Sequence, residues 1–152
     1  MRYNKRHHAG FTLIETIAVL IILAIVSAVA ISRVGTDESN LRAELNDLKA
    51  ALRYAQQMSI ASDSTMTFSI TVTTTGYAIT RTGGTVHPML PGESGSTHTF
   101  SSVSASPAIF NFNEWGGLAA GSASTTTLTK TQGGTGSSTI NIIPETGYAY
   151  ES

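Results

Sequence analysis

The chain has 152 residues, of which 41% are hydrophobic and only 12% charged, against about 25% charged in an average soluble protein. Nine basic and ten acidic side chains leave a net charge of −1, so there is no basic patch or stripe to suit nucleic acid. Cysteine is absent, which excludes disulfides and thiolate metal sites.

Residues 1–10 form a short basic leader. Arg2, Lys5 and Arg6 are its fixed charges, with His7 and His8 beside them and no acidic residue to offset them. Without this leader the remainder would hold six basic and ten acidic side chains. Residues 11–31 are almost wholly apolar, and Ile17–Val26 is an unbroken apolar run. A helix needs about 20 such residues to cross the hydrocarbon core of a bilayer. Glu15 is the only charge in this stretch, and Thr12, Thr16 and Ser27 are its other polar residues. Hydroxyls of this kind can bond back to the helix backbone. Basic residues before the apolar run predict a cytoplasmic N-terminus, with the bulk of the chain across the membrane.

Residues 32–62 keep the helical period but mix in polar side chains. Leu41, Leu45, Leu48, Leu52 and Ala55 recur at steps of four and three, which places them on one stripe. Arg42, Glu44, Asp47, Lys49 and Arg53 are expected on other faces. Gly35 weakens the helix, and Thr36, Asp37 and Ser39 are N-cap types, so a bend or a restart is expected near Ser32–Gly35.

Residues 63–152 are rich in serine, threonine and glycine. Met66, Phe68, Ile70 and Val72 alternate with Thr65, Thr67, Ser69, Thr71 and Thr73, the period of a half-buried strand. Thr75-Gly76 marks a turn into a returning strand, Tyr77–Arg81. Ile109–Phe112, Thr125–Thr131 and Thr139–Ile143 read as further strands. Gly133-Gly134-Thr135-Gly136 and Pro144-Glu145-Thr146-Gly147 read as turns. Residues 83–99 read as a long loop. The expected fold is therefore α+β: a long N-terminal helix, half membrane-spanning and half amphipathic, packed on a small antiparallel sheet.

Across the first boundary the sequence is Ala9-Gly10-Phe11-Thr12-Leu13-Ile14-Glu15. With the basic leader and the apolar run, it resembles the processing site of type IV prepilins and of type II secretion pseudopilins. The resemblance is tightest over residues 5–31. It implies that a prepilin peptidase cuts between Gly10 and Phe11 and that the same enzyme methylates the new amine of Phe11. It also implies that Glu15 is the glutamate at the fifth mature position, used in assembly. The residues support that role on their own terms. A carboxylate in the membrane interior costs about 2.5–3.5 kcal/mol on insertion scales, so it needs a partner. Cleavage would create a cationic amine four residues away, able to answer Glu15 of its own chain or of a neighbour.

Beyond the anchor, Leu52-Arg53-Tyr54-Ala55-Gln56-Gln57 followed by Ile60 and the Met66–Val72 strand resembles the helix-to-sheet passage of H-type pseudopilins and FimT-like minor pilins. Phe112-Asn113-Glu114-Trp115-Gly116-Gly117 and Ile140–Gly147 are similar to two later segments of that group. The resemblance implies a filament subunit rather than an enzyme. Its implied partners are the prepilin peptidase/methyltransferase, other pilin or pseudopilin subunits in a homo- or hetero-filament, an inner-membrane assembly platform and membrane lipid. It implies a single-pass inner-membrane precursor with a periplasmic β domain, later part of a pilus or pseudopilus. Missing cysteines, and Ser32 where many major pilins carry proline, favour a minor pilin or pseudopilin. A major pilin of a divergent filament is one alternative. Another starts from Ser27-Ala28-Val29-Ala30, which resembles a signal peptidase site, so that cleavage near Ala30 would release a secreted adhesive or binding β domain.

No catalytic residues, metal ligands or cofactor site emerge. His87, His98 and Glu93 match no zinc spacing, and both histidines are expected to be solvated loop residues. Trp115, Tyr148 and Tyr150 are expected in the core or at a sheet edge.

Overall fold

The computed structural model describes residues 12–33, 36–83, 88–131 and 135–152, without side chains for 28–33 and 36–38. The chain divides into two units, Met1–Gly35 and Thr36–Ser152. The interruption expected near Ser32–Gly35 falls between helix α1, which ends at Arg33, and helix α2, which starts at Thr36; residues 34–35 lie outside the described residues.

In the first unit, α1 is Leu13–Arg33. Thr12 caps its start. The Thr12 carbonyl accepts from the N–H groups of Glu15 at 3.1 Å and Thr16 at 3.2 Å, and from the Thr16 hydroxyl at 3.0 Å. The consecutive side chains Val19, Leu20, Ile21, Ile22 and Leu23 are all at least half exposed. Five consecutive residues pass right round a helix, so α1 is apolar on every side rather than along a stripe.

In the second unit, α2 is Thr36–Ile60 and is followed by eight strands. These are β1 Phe68–Thr73, β2 Gly76–Arg81, β3 Thr97–Thr99, β4 Val103–Ala105, β5 Ala108–Phe112, β6 Thr125–Lys130, β7 Ser137–Ile142 and β8 Ala149–Glu151. They build two antiparallel sheets, not the single sheet expected: β3-β2-β1-β5 and β4-β6-β7-β8. The expected turn at Thr75-Gly76 joins β1 to β2 in a register that places Ile70 opposite Ile79 and Val72 opposite Tyr77. Part of the segment read as a loop over 83–99 is strand β3, paired with β2 through Tyr77 and His98. The Gly133-Gly134 half of the expected hairpin turn lies outside the described residues, as does His87.

The leucine stripe of α2 behaves as its period predicts. Leu41, Leu45, Leu48, Leu52 and Ala55 are all buried, and Ala51 joins them. They share one hydrophobic cluster with Phe68, Ile70 and Phe110 of the first sheet and Leu128 and Ile140 of the second. Burying one such leucine or phenylalanine contributes about 1.5–3 kcal/mol. The alternation of β1 is also kept: Phe68, Ile70 and Val72 face the core, and Ser69 and Thr71 face away. The buried Ser59 ties the end of α2 to both neighbours in the first sheet. Its hydroxyl donates to the Phe112 carbonyl at 3.1 Å and accepts from the Phe68 N–H at 3.4 Å.

Candidate functional site

The residues singled out by sequence sit at the start of the chain. Gly10 and Phe11 lie outside the described residues. Glu15 is described, in the first turn of α1, and its side chain is exposed. Its N–H also lies 3.3 Å from the Thr12 hydroxyl, which acts as N-cap acceptor. A carboxylate in the first turn lies at the positive end of the helix dipole. Among the described residues, none pairs with the Glu15 carboxylate. The result is an apolar helix with one exposed negative charge near its N-terminal end. Among the described residues, no helix is long and apolar enough to cross a membrane. The side chains described in α1 run to Ser27, whereas the apolar run expected from sequence continues to Ile31.

In the second unit the two late segments singled out by sequence come together at the C-terminal end of α2. The Gln56 amide donates to the Gly116 carbonyl at 3.1 Å and to the Thr146 carbonyl at 2.6 Å. The Leu118 N–H donates to the Pro144 carbonyl at 2.7 Å. Gly147 must be glycine here. Its φ is 65°, and a Cβ would run into the Gly116 carbonyl oxygen and the Gln56 amide. Asn113 shapes the first turn, its Oδ1 accepting from the N–H groups of Trp115 and Gly117 at 3.0 Å each. That turn aims Trp115 outward. The side chain is 81% exposed, and Tyr148 and Tyr150 are also exposed, so the expectation of core packing fails for Trp115 and Tyr148. Tyr150 does lie in β8, an edge strand.

A polar cluster that sequence reading missed lies between α2 and β3. Glu44 does not point away from the leucine stripe as expected; it is buried. Three residues after Leu41 and four before Leu48, it stands at the flank of the stripe. Its Oε2 lies 2.7 Å from His98 Nε2, and its Oε1 accepts from the Ser101 N–H at 3.1 Å and the Ser101 hydroxyl at 3.0 Å. The other ring nitrogen, Nδ1, lies 2.6 Å from Glu93 Oε1. The ring stacks on Tyr77, centroids 4.8 Å apart. His98 is therefore not a solvated loop residue. A usable signal was Thr97-His98-Thr99-Phe100, whose alternation turns His98 and Phe100 to the same side.

Burial alone would lower the pKa of His98, but its contacts with Glu93 and Glu44 outweigh this and raise it above 6.5. Burial first, and then the charges of Asp47, Glu44 and Glu93, push the Tyr77 phenol far above its ordinary value, so it stays neutral. The imidazole stands between the two carboxylates and faces one with each nitrogen, a layout that suits hydrogen bonding rather than three ligands on one ion. Among the described residues, no group of acidic and histidine side chains could hold a metal.

Comparison with known families agrees with this architecture. Residues 5–31 match the prokaryotic N-terminal methylation motif, the signature of type IV pilins and pseudopilins. Residues 44–145 match type II transport protein GspH. The chain belongs to the type II transport protein GspH family and is a pilin/pseudopilin structural subunit. The family implies a membrane-anchored, filament-associated protein, processed by prepilin peptidase and partnered by other pilin subunits. No curated protein and no solved structure matches the chain.

Proposed function

We propose that the chain is made as a prepilin, cut between Gly10 and Phe11, methylated on the Phe11 amine and built into a filament through residues 11–31. Residues 1–10 are the leader that is removed, and residues 32–62 carry the helix into the β domain of residues 63–152. The subunit is a minor pilin or pseudopilin. Before assembly it spans the inner membrane once, with its N-terminus in the cytoplasm and its β domain in the periplasm. An assembly platform in that membrane then passes it into the filament.

The observation that carries this reading is the contrast on α1: apolar side chains exposed on every side, and in the first turn one carboxylate that has no partner among the described residues. Such a surface is covered by lipid before assembly and by the helices of other subunits afterwards. Within that apolar surround, Glu15 needs a cation. The amine released at Phe11 supplies one, on the same helix or on a neighbour stacked with an axial offset.

The test is mass spectrometry of the protein expressed with and without prepilin peptidase. The expected product with the peptidase begins at N-methylated Phe11. An intact Met1 would favour an uncut anchor, and a start at Ile31 would favour release by signal peptidase. Either of those results overturns the proposal.

A further inference from the structure

The contacts of His98 ask for more protons than a neutral ring owns. A neutral imidazole has one N–H and one lone pair. It can therefore donate to Glu93 or to Glu44 but not to both, and the second contact would press a lone pair against a carboxylate oxygen. At 2.6 Å and 2.7 Å, both contacts have the short length of charge-assisted bonds. Only the imidazolium donates at both nitrogens.

We propose that His98 is a pH-governed clasp: as imidazolium it joins α2 to the segment 91–96 before β3, and on losing its proton it keeps Glu44 and releases Glu93. The choice of which contact is lost follows from burial. The Glu44 side chain is 9% exposed and that of Glu93 is 36% exposed. Freeing Glu44 would strand a buried carboxylate, whereas Glu93 can turn to water. The groups that act on the ring are Glu44 from α2 and Glu93 from the segment before β3; Tyr77 from β2 stacks on it, and Asp47 from α2 acts on that phenol. With the Tyr77 phenol held neutral, the imidazole is the group suited to titrate near neutral pH.

The turn that carries Glu93 sits on a fixed base, with the Glu93 N–H donating to the Leu90 carbonyl at 3.1 Å. Leu90 is buried in the core, and its N–H donates to the Gly95 carbonyl at 2.8 Å. Between them Gly92 has a φ of 83° and open space around its Cα. Glu93 stands at the tip of this turn. Because the folded-state pKa of His98 is raised, the clasp is fully formed below pH 6.5 and is lost as pH rises through the folded value. Opening alters the surface beside β3, an edge of the first sheet. The inference rests on the second unit alone and stands whether or not Gly10 is the processing site.

The experiment is NMR of the full chain in detergent micelles, with labelled histidine, between about pH 5 and 9, a range that brackets an ordinary histidine. The expected result is a His98 ring protonated on both nitrogens at low pH, with a midpoint above 6.5. The protection factor of the Glu93 amide, which donates to the Leu90 carbonyl at 3.1 Å, should fall at least about tenfold across that midpoint, while those of β6 and β7 stay level. Glu93→Gln supplies the control. An amide at position 93 can accept from the imidazolium or donate to the neutral ring, so protection in this variant should no longer depend on pH. A midpoint at or below 6.5, protection that ignores the titration, or a Glu93→Gln protein with the wild-type pH response would overturn the clasp.

Discussion

The two helices solve opposite problems with similar building blocks. In α2 the apolar residues recur every three or four positions, and the same chain covers them with two sheets. In α1 they fill every position from Ile17 to Val26, and those large side chains remain exposed. A stripe calls for one partner surface, which a small domain can supply. A helix that is apolar all round needs a surrounding medium rather than one partner surface. The same contrast holds for acidic residues. Glu44 is buried and answered by His98 and Ser101, while Glu15 has no answering group among the described residues.

Substitutions can break this comparison at several points. The largest effect is expected from Gly10→Arg, which places a bulky cation at the proposed cut. The prediction is complete retention of the unmethylated, full-length form, read by intact mass. Next comes a matched pair of leucines. Leu48→Ala removes a fully buried side chain and should lower the stability of the α2 and β domain by about 2–5 kcal/mol in denaturant unfolding. Leu20→Ala, at a 62% exposed position, should change that stability by less than about 0.5 kcal/mol. Equal losses at the two sites would erase the distinction between the helices.

A smaller loss is expected for Glu15→Val. The protein should still enter the membrane, but its recovery in sheared filaments should drop at least about tenfold, because an amine left unpaired among apolar helices is costly. Smallest of all is Lys49→Ala. It removes the 3.2 Å ion pair with Glu151, whose carboxylate is 42% exposed. Exposed pairs of this kind contribute about 0.2–1 kcal/mol. The Ser138 hydroxyl first, and Lys49 second, hold the Glu151 carboxyl below the usual carboxylate range. This contribution is therefore present at neutral pH and fades as pH falls through the lowered value. Unfolding at two pH values would show it.

The parts of the fold legible in the sequence were those with enough residues to display a period. The α2 stripe runs through four turns, and β1, β2, β5, β6 and β7 have five or six residues each. The missed strands β3, β4 and β8 have three residues each, too few for alternation to stand out. The second sheet was missed for a related reason. Pairing of β4 with β6, and of β7 with β8, is a tertiary choice that leaves no local mark. The contact between Glu44 and His98 spans 54 positions, so neither residue announces the other. The N-terminal segment is the reverse case: Gly10, Phe11 and Glu15 lie within one short stretch of sequence and are readable at once, while residues 1–11 lie outside the described part of the structure.

The central claim is that the amine made at Phe11 answers Glu15. It is tested most directly by solid-state NMR of assembled filaments, with nitrogen-15 at the Phe11 amine and carbon-13 at the Glu15 carboxyl. The account predicts a methylated amine within about 4 Å of a Glu15 carboxylate oxygen, intramolecular or between subunits. A separation beyond about 6 Å in every subunit pair would contradict it.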